Sequence, residues 1–537
     1  MRIITQVILS LLYGYNYEKK ITKASKNIFN KNKEILIYQI KQSLLNINLE
    51  KNLNIKNNNL LQNIEIPKRS FHQYLWAYFI NTEIFTSHLI FCIAKKKVFF
   101  FPLPKEYIKN VSKLIKTNLF ISEVLWKLVL IISFFKNLIF IIFSIVNFFK
   151  TTFAKTNYIL CKALNNSIPN NNINLKLKDF FFWFYRNFNI QKKVVFLHKS
   201  KKIKNNNLNN KFSLPYFVKY KTNPEYILFN IYNLKIYFLS LIGSVKFIIK
   251  VILKRESHFI ILLYEIFKFN LHLKNPNSFE FVLYNNSNMV FRPLWTYAQE
   301  FKKKNSVIFY FYSINNEPLL HKITKKIYFD YLVFKILSWS NYILWGNEHL
   351  LWLKKRIKKN FSYKLVDFVP FEGQNIFLPK VNKKRLCIFD NPPKNDVHYF
   401  QHLNQYNIYN KDYCLSFINN ILILTKKLKN TEVFLKVKRN NNTYDSSYLQ
   451  YTKLLKKKFP NLKIFDQEIS AQSLLLGSDL AISIPFTSTA AIANHFSSKS
   501  VFYDPSGQLK DKDNILKKIE LINNKNTLHK CIKKYLR

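Results

Sequence analysis

The sequence predicts an α/β protein, with two doubly wound domains facing each other across a cleft behind a helical, apolar N-terminal region. Three observations carry this. From Phe279 onward, short apolar runs alternate with amphipathic segments, the pattern of repeated β-α units. The alternation comes as two series, separated by the basic linker Lys380-Val381-Asn382-Lys383-Lys384. A chain of 537 residues with 48% hydrophobic content can also bury two or three separate cores.

In order along the chain, Met1 to Tyr13 is apolar but lacks a small-residue cleavage site before Glu18-Lys19-Lys20, so no signal peptide is expected. Asn27 to Asn63 is Lys/Asn-rich padding, and residues 1–94 are expected to form a basic helical extension. Lys95 to Pro104 is expected to be a buried strand stopped by prolines, with a Lys-rich helix after it. Leu128 to Phe149 is long enough to span a bilayer, yet Lys136-Asn137 stands at its middle and both flanks are basic. A helix lying on the protein or dipping into the cytoplasmic leaflet is expected near 120–150. The run Tyr226 to Leu253, broken by Lys235, Gly243, Lys246 and Lys250, favours core or surface contact.

In the first series the strands are Phe279 to Tyr284, Val307 to Tyr312, Tyr342 to Trp345 and Tyr363 to Val369. Helices Pro293 to Lys303 and Leu350 to Ile357 fall between them. In the second series the strands are Arg385 to Phe389, Glu432 to Val437, Leu462 to Phe465, Leu480 to Ile484 and Ser500 to Tyr503. Its helices are Asp412 to Leu428, Tyr448 to Phe459, Ser470 to Leu476 (capped by Gly477) and Ser488 to Phe496. The expected domains are 95–380 and 381–510, followed by a basic helix over 511–537.

Only six glycines occur, at 14, 243, 346, 373, 477 and 507, so neither G-x-G-x-x-G nor G-x-x-x-x-G-K-[ST] can be written. P-loop NTPases and ordinary dinucleotide-binding dehydrogenases are thereby excluded. The formal charge is +54, from 84 Lys+Arg against 30 Asp+Glu. Lys, Asn, Ile and Phe rise together while Arg stays scarce, which points to compositional bias, with contact to an anionic membrane and no nucleic-acid partner. Five scattered cysteines form no C-x-x-C and suggest neither disulfides nor a zinc site, so a reducing cytoplasm is expected.

Two segments carry chemistry. In Asp479 to Ala493 a buried strand ends at Pro485-Phe486, and Thr487, Ser488 and Thr489 open a small-residue helix. Its unpaired N–H groups and hydroxyls can hold an anion without glycine. In Glu432 to Arg439, alternation puts Lys436 and Lys438 on one side of a strand end, with Arg439 opening the loop. Such a cluster could neutralise a diphosphate leaving group. An ordinary helix cap and a solvated charge run are the plain alternatives.

Ser483-Ile484-Pro485-Phe486-Thr487-Ser488-Thr489-Ala490-Ala491-Ile492-Ala493 and Phe502-Tyr503-Asp504-Pro505-Ser506-Gly507 resemble the C-terminal signature of surface-carbohydrate (capsule or lipopolysaccharide) biosynthesis proteins. These are GT-B-type glycosyltransferase-like proteins built of two Rossmann-like domains. Phe502 replaces a usual Tyr, and His495 to Lys499 replaces a usual Gly-Lys-Pro turn. Tyr284 to Trp295 with Phe309 to Ser313, Trp345-Gly346 and Phe389 to Pro393 resemble further parts of the same family in the same order.

The resemblance implies sugar transfer from a nucleotide-activated donor, held by the C-terminal domain, to a glycan or lipid-linked acceptor held by the N-terminal one. No cofactor is implied. Lys436, Lys438, Arg439 and the segment Pro485, Phe486, Thr487, Ser488, Thr489 would contact the donor phosphates. Tyr503 and Asp504 would lie at the donor's ribose or sugar. Glu317 and Asp390 are the candidate general bases, with Asn286, Asn288 and Arg292 positioning the acceptor. The chain carries no D-x-D pair in donor-side context, which fits a metal-independent mechanism. The resemblance points to a cytoplasmic enzyme peripheral to the membrane. Two other readings remain open: a non-catalytic membrane or polyanion binder with a degenerate cleft, and a CDP-polyol phosphotransferase of the same fold.

Overall fold

Parallel strands buried on both faces need unbroken apolar runs, and this chain supplies them in two sets, each laid on its own sheet. The computed structural model describes residues 31–47, 65–150, 157–161, 183–184, 187–188, 194–198, 216–219, 234–253, 256–275, 278–285, 290–314, 319–323, 327–328, 332–357, 360–366, 376, 378–379, 381–393, 409–426, 428, 430–437, 445–466, 469–485, 487–496, 498–511 and 519–537.

The N-terminal helices are α1 (Lys31–Leu45), α2 (Glu65–Leu75, continued by a π-helical turn Trp76–Ile80), α3 (Glu83–Ala94) and α4 (Lys105–Ser112). The chain bends by 65° between the π turn and α3, where the Thr82 hydroxyl accepts from the Phe85 N–H and caps the new helix. Ile40, Trp76, Phe85 and Leu89 share one core with Phe99, Tyr107, Ile266 and Ala298. This packing runs straight through the boundary expected at 94/95, so the first helices belong to the body of the N-terminal domain. Lys95 to Pro104 is not a strand. Lys95 and Lys96 turn out of α3, Lys96 at φ 51°, and the backbone after them pairs through the single bridge Phe99 to Thr117, while its apolar side chains pack on helices.

Helix α5 (Leu119–Lys150) begins nine residues earlier than Leu128, with the Asn118 side chain accepting from the Ile121 N–H. After strands β1 (Asn157–Cys161), β2 (Val194–His198) and β3 (Tyr216–Lys219) comes α6 (Leu234–Leu253), then a 3-10 segment Ser257–Leu262 and α7 (Leu263–Lys274). The Tyr237 hydroxyl of α6 donates to the Ile141 carbonyl of α5, and both helices lie on α7.

The first sheet continues with β4 (Phe281–Asn285), α8 (Trp295–Lys302), β5 (Val307–Tyr310), β8 (Asn341–Leu344), α9 (Asn347–Lys354) and β9 (Ser362–Leu365). The short strands β6 (Leu319–His321) and β7 (Ile327–Tyr328) stand outside it. Its order is β3-β2-β1-β4-β5-β8-β9, and every pairing is parallel. The second sheet uses β10 (Lys384–Phe389), α10 (Lys411–Thr425), β11 (Thr431–Lys436), α11 (Ser446–Lys458), β12 (Leu462–Phe465), α12 (Ala471–Leu475), β13 (Leu480–Ser483), α13 (Ser488–His495) and β14 (Lys499–Tyr503). It ends with β16 (Glu520–Ile522) and α14 (Lys525–Leu536), in the parallel order β12-β11-β10-β13-β14-β16. Residues 519–537 therefore complete the second domain, with Leu528 and Ile532 in its core, and the expected C-terminal helix is not separate from it.

Both sheets are doubly wound, with the first strand beside the fourth, so the molecule has the two-domain GT-B architecture. A third sheet joins the domains: β15 (Leu509–Asp511) pairs antiparallel with β6, as Leu509 with His321 and Asp511 with Leu319. Lys322 Nζ adds a bond to the Gly507 carbonyl at 3.0 Å. Gly346 turns the chain from β8 into α9 at φ 107°, ψ 178°, a region open only to glycine. Gly346→Ala is expected to lower stability by about 1–3 kcal/mol, read as a shifted denaturant midpoint at unchanged slope.

Candidate functional site

The carboxyl ends of both sheets meet at one place. In the second sheet β10 is central: Phe389 pairs in register with Lys436 of β11 on one side and with Ser483 of β13 on the other. One residue further, the Ile484 N–H donates to the Phe389 carbonyl at 2.9 Å. Past this point the flanking helices separate. α10 packs through Phe417 and Ile421 on the Ile388 and Leu435 face, whereas α13 packs through Ile492 and Ala493 on the Cys387 and Phe434 face. The crevice left between β10 and β13 is the topological switch point, where open α/β sheets take their ligands.

Pro485, buried, and Thr487 to Thr489 line one side of this crevice. Thr487 is the N-cap residue of α13 but makes no side-chain bond to the first turn. Its hydroxyl donates instead to the Ile484 carbonyl at 3.1 Å, and Thr489 Oγ1 lies 3.0 Å from Thr487 Oγ1 and 2.9 Å from Ser483 Oγ. The threonine hydroxyls thus brace the turn from within, and the first-turn N–H groups are left as the anion donors. Ser488 Oγ accepts from the Ile314 N–H at 2.9 Å, so the loop after β5 of the first domain reaches the start of this helix.

Lys436 stands at the end of β11, across β10 from Ser483. It is nearly buried, and its ammonium donates to the carbonyls of Val437 and Asp466, each at 3.2 Å. Burial pulls its pKa down to about 8, against an upward pull from Asp390 and Asp466. Asp390 accepts from the Tyr448 hydroxyl of α11 at 2.9 Å and is 2% exposed. It is fixed among side chains of its own domain, with no face open to an acceptor across the cleft, and its evident action is on Lys436.

Three further expectations are corrected. Arg292 is completely buried and its guanidinium is already used: Nε donates to Thr296, Nη1 to the Ser338 carbonyl and Ser340 hydroxyl, and Nη2 to Glu300 at 2.6 Å. Its plane also lies 3.8 Å from the Tyr297 ring centroid. Burial pulls its pKa down, but Glu300 together with Tyr297 and Tyr342 more than offsets this and holds the group charged. Arg292 therefore cross-links the first domain, with four of its five N–H donors engaged and the whole side chain buried away from an acceptor. Asp504 is also completely buried. Its oxygens accept from the Ser506 N–H and hydroxyl and from the Leu509 N–H, so it holds the Asp-Pro-Ser-Gly turn. Tyr503 stacks on Phe417 in the core, and its hydroxyl accepts from Asn420, on the α10 face of the sheet. Asn286, Asn288, Glu317, Lys438, Arg439 and Phe486 lie outside the described residues.

Sequence reasoning missed Ile314, Ser483 and Tyr448. The first acts through its backbone, and Ser483 reads as an ordinary strand end. Tyr448 sits at a core position of an amphipathic helix, and its partner Asp390 is 58 residues away.

Two doubly wound domains meeting at their carboxyl edges, with an anion-ready helix start between them, define a GT-B, glycosyltransferase-like protein. Residues 247–532, just over half of the chain, match the family Polysaccharide biosynthesis PFTS motif protein, and the chain belongs to it. The four letters of that name stand here as Pro485-Phe486-Thr487-Ser488. No curated protein matches the chain in sequence. Among solved structures, an α,α-trehalose 6-phosphate synthase from Burkholderia multivorans aligns at 6% identity and TM-score 0.37, over 71% of this chain and 91% of its own. An E. coli trehalose-6-phosphate structure bound with UDP-2-fluoro glucose gives 10%, 0.36, 70% and 91%. A glycosyltransferase from Rickettsia africae gives 11%, 0.34, 71% and 88%. The fold assignment rests on the strand order.

Arg292→Met is expected to destabilise the protein by about 3–5 kcal/mol, since it strands the Glu300 carboxylate, and calorimetric or denaturant unfolding checks this. Lys436 supplies a pH signature. Its folded pKa lies below its unfolded value, so the unfolded chain binds more protons between the two. Its contribution to stability therefore rises as pH climbs from about 8 toward the unfolded value. Over the same range the ammonium loses its charge, so nucleoside diphosphate affinity is expected to fall above about pH 8 in the natural protein and not in Lys436→Gln, measured by titration calorimetry.

Proposed function

We propose that the chain is a glycosyltransferase that moves a sugar from a nucleotide-activated donor to a growing surface polysaccharide or a lipid-linked acceptor. The reading rests on one observation above all. At the switch point of the second sheet, the uncapped start of α13 and Lys436 stand on either side of β10, and both suit a diphosphate. As the glycosidic bond breaks, negative charge grows on the leaving diphosphate. Fixed N–H dipoles and a lysine stabilise that charge without reorganising. Lys438 and Arg439 follow directly in sequence and would add to it. With cations and a helix end performing this task, transfer proceeds without a metal, and activity in the presence of a chelator tests that.

The acceptor binds on the first domain, near the loop after β5 that touches Ser488. Glu317, three residues beyond Ile314, is the candidate base. The enzyme works at the cytoplasmic side, where nucleotide-sugars are made. Membership of the polysaccharide family and the intact Pro-Phe-Thr-Ser turn favour this over a degenerate polyanion binder or a CDP-polyol phosphotransferase.

A thermal-shift series with CMP-, CDP-, UDP- and GDP-sugars is expected to raise the melting temperature with one nucleotide class, because a ligand that binds only the folded state stabilises it. Lys436→Ala and Thr487→Ala are each expected to weaken that donor about tenfold or more while the apo protein melts cooperatively. Unchanged donor affinity in both variants would sink the reading, and a response to CDP-polyols alone would transfer it to the phosphotransferase.

A further inference from the structure

Helices α5 and α6 are apolar on both faces and keep their small polar residues on the inner one. A helix on a water-soluble protein turns its apolar face inward. Here the inner faces bury Trp126, Val129 and Ile141 of α5 and Ile248 and Val251 of α6, together with the polar Ser122, Ser133, Asn137 and Ser144 of α5 and Ser240 and Ser244 of α6. Asn137 donates to the carbonyls of Ile260 and Ile261, and Asn270 of α7 donates to Ser244, so the inner polar groups tie both helices to the protein. The outer faces carry large hydrophobics at helical spacing. On α5 these include Ile131, Phe135 (59% exposed), Ile142 and Phe143 (66% exposed), and on α6 Phe238, Ile242 and Ile249. The helices touch through Tyr237 and Ile141, so the two faces form one surface. Neighbouring exposed apolar faces of this kind mark an interaction site.

Charge identifies the occupant. Exposed Lys127 on α5 and exposed Lys235, Lys246 and Lys250 on α6 border the patch, while α6 has no acidic residue and α5 only Glu123. A second copy docked through the same face by a twofold axis would set these lysines against one another. An anionic lipid surface would attract every one of them. Both helices are long and apolar enough to cross a bilayer, with mean hydropathies of 2.5 and 2.0 over the most apolar 18 residues within Leu119–Ile145 and Leu234–Leu253. Crossing would carry Lys136 and Lys246 to mid-membrane and strip α5 from the core that holds Leu125, Trp126 and Val129. Lying in the interface lets each lysine reach the headgroups while its stem covers apolar surface.

We infer that the outer face of α5 and α6 is a docking surface for an anionic bilayer, with both helices lying in the plane of the interface. This stands on the surface alone and holds whatever the cleft transfers. The test is sedimentation with vesicles of phosphatidylcholine containing roughly one-third phosphatidylglycerol, against pure phosphatidylcholine, at about 0.15 M salt. Binding is expected to be at least about tenfold stronger to the anionic vesicles and to be released by alkaline carbonate. Phe135→Ser with Phe143→Ser, and separately Ile242→Ser with Ile249→Ser, leave the charge unchanged and are expected to cost about tenfold or more, at unchanged melting temperature. Equal binding by both double variants would show that bulk lysine charge suffices and overturn the proposal. Resistance to carbonate would overturn it in favour of a span. Absent lipid binding, together with a dimer lost in either double variant, would overturn it in favour of self-association. Donor titration of the same samples separates any of these outcomes from failure of the sugar-transfer reading.

Discussion

The pairing of β10 with β13, carried one residue past the strands by the Ile484 N–H to Phe389 carbonyl bond, is the constraint on which the functional geometry depends. It holds the first and fourth strands of the second sheet side by side. Because right-handed crossovers send α10 and α13 to opposite faces, a crevice must open just beyond that bond. Everything assigned to the site stands around it: the Pro-Phe-Thr-Ser turn on the β13 side, Lys436 on the β11 side, and Asp390 at the end of β10. The scarcity of glycine matters here. A glycine-rich loop lets backbone close on a phosphate, whereas this chain reaches a comparable end with a proline stop, a braced pair of threonines and an uncapped helix start.

Lys436 and Asp390 show how burial divides roles among charged residues. The lysine keeps a polar edge toward two carbonyls and has its pKa drawn down to about 8. The aspartate is held behind it by Tyr448 and biases the lysine electrostatically. Arg292 and Asp504 are charged, buried and engaged, and their work is architectural: one cross-links α8 with the chain before β8, the other locks the turn that leads into β15.

The strands of both series were legible because continuous Val, Ile, Leu and Phe runs with turn residues at their ends leave few other choices. Leu480 to Ile484 and Arg385 to Phe389 are examples. The phosphate-side turn was legible for a local reason, since a strand end, a proline and a hydroxyl-rich helix start are neighbours in sequence. The failures were non-local. Phe99 to Phe101 has a strand's composition, but helices from both sides of it in sequence supply its partners. Arg292 invited a ligand role because Ser338 and Ser340, which consume its donors, lie more than 40 residues away. The bare apolar outer faces of α5 and α6 were hidden as well. Apolar residues surround both helices in sequence, and only contact with α7 and the Ser257–Leu262 segment reveals which side is which.

The three-stranded sheet shared by the domains has a mechanical consequence. The chain crosses between the domains once through the linker near 381–383, and β6 with β15 bolts them together a second time. Two bodies fastened at these two points can turn on one another only about the line that joins them, and such a turn must break the Ile314 to Ser488 contact. Opening and closing of the cleft is thereby reduced from six degrees of freedom to a swing on one axle.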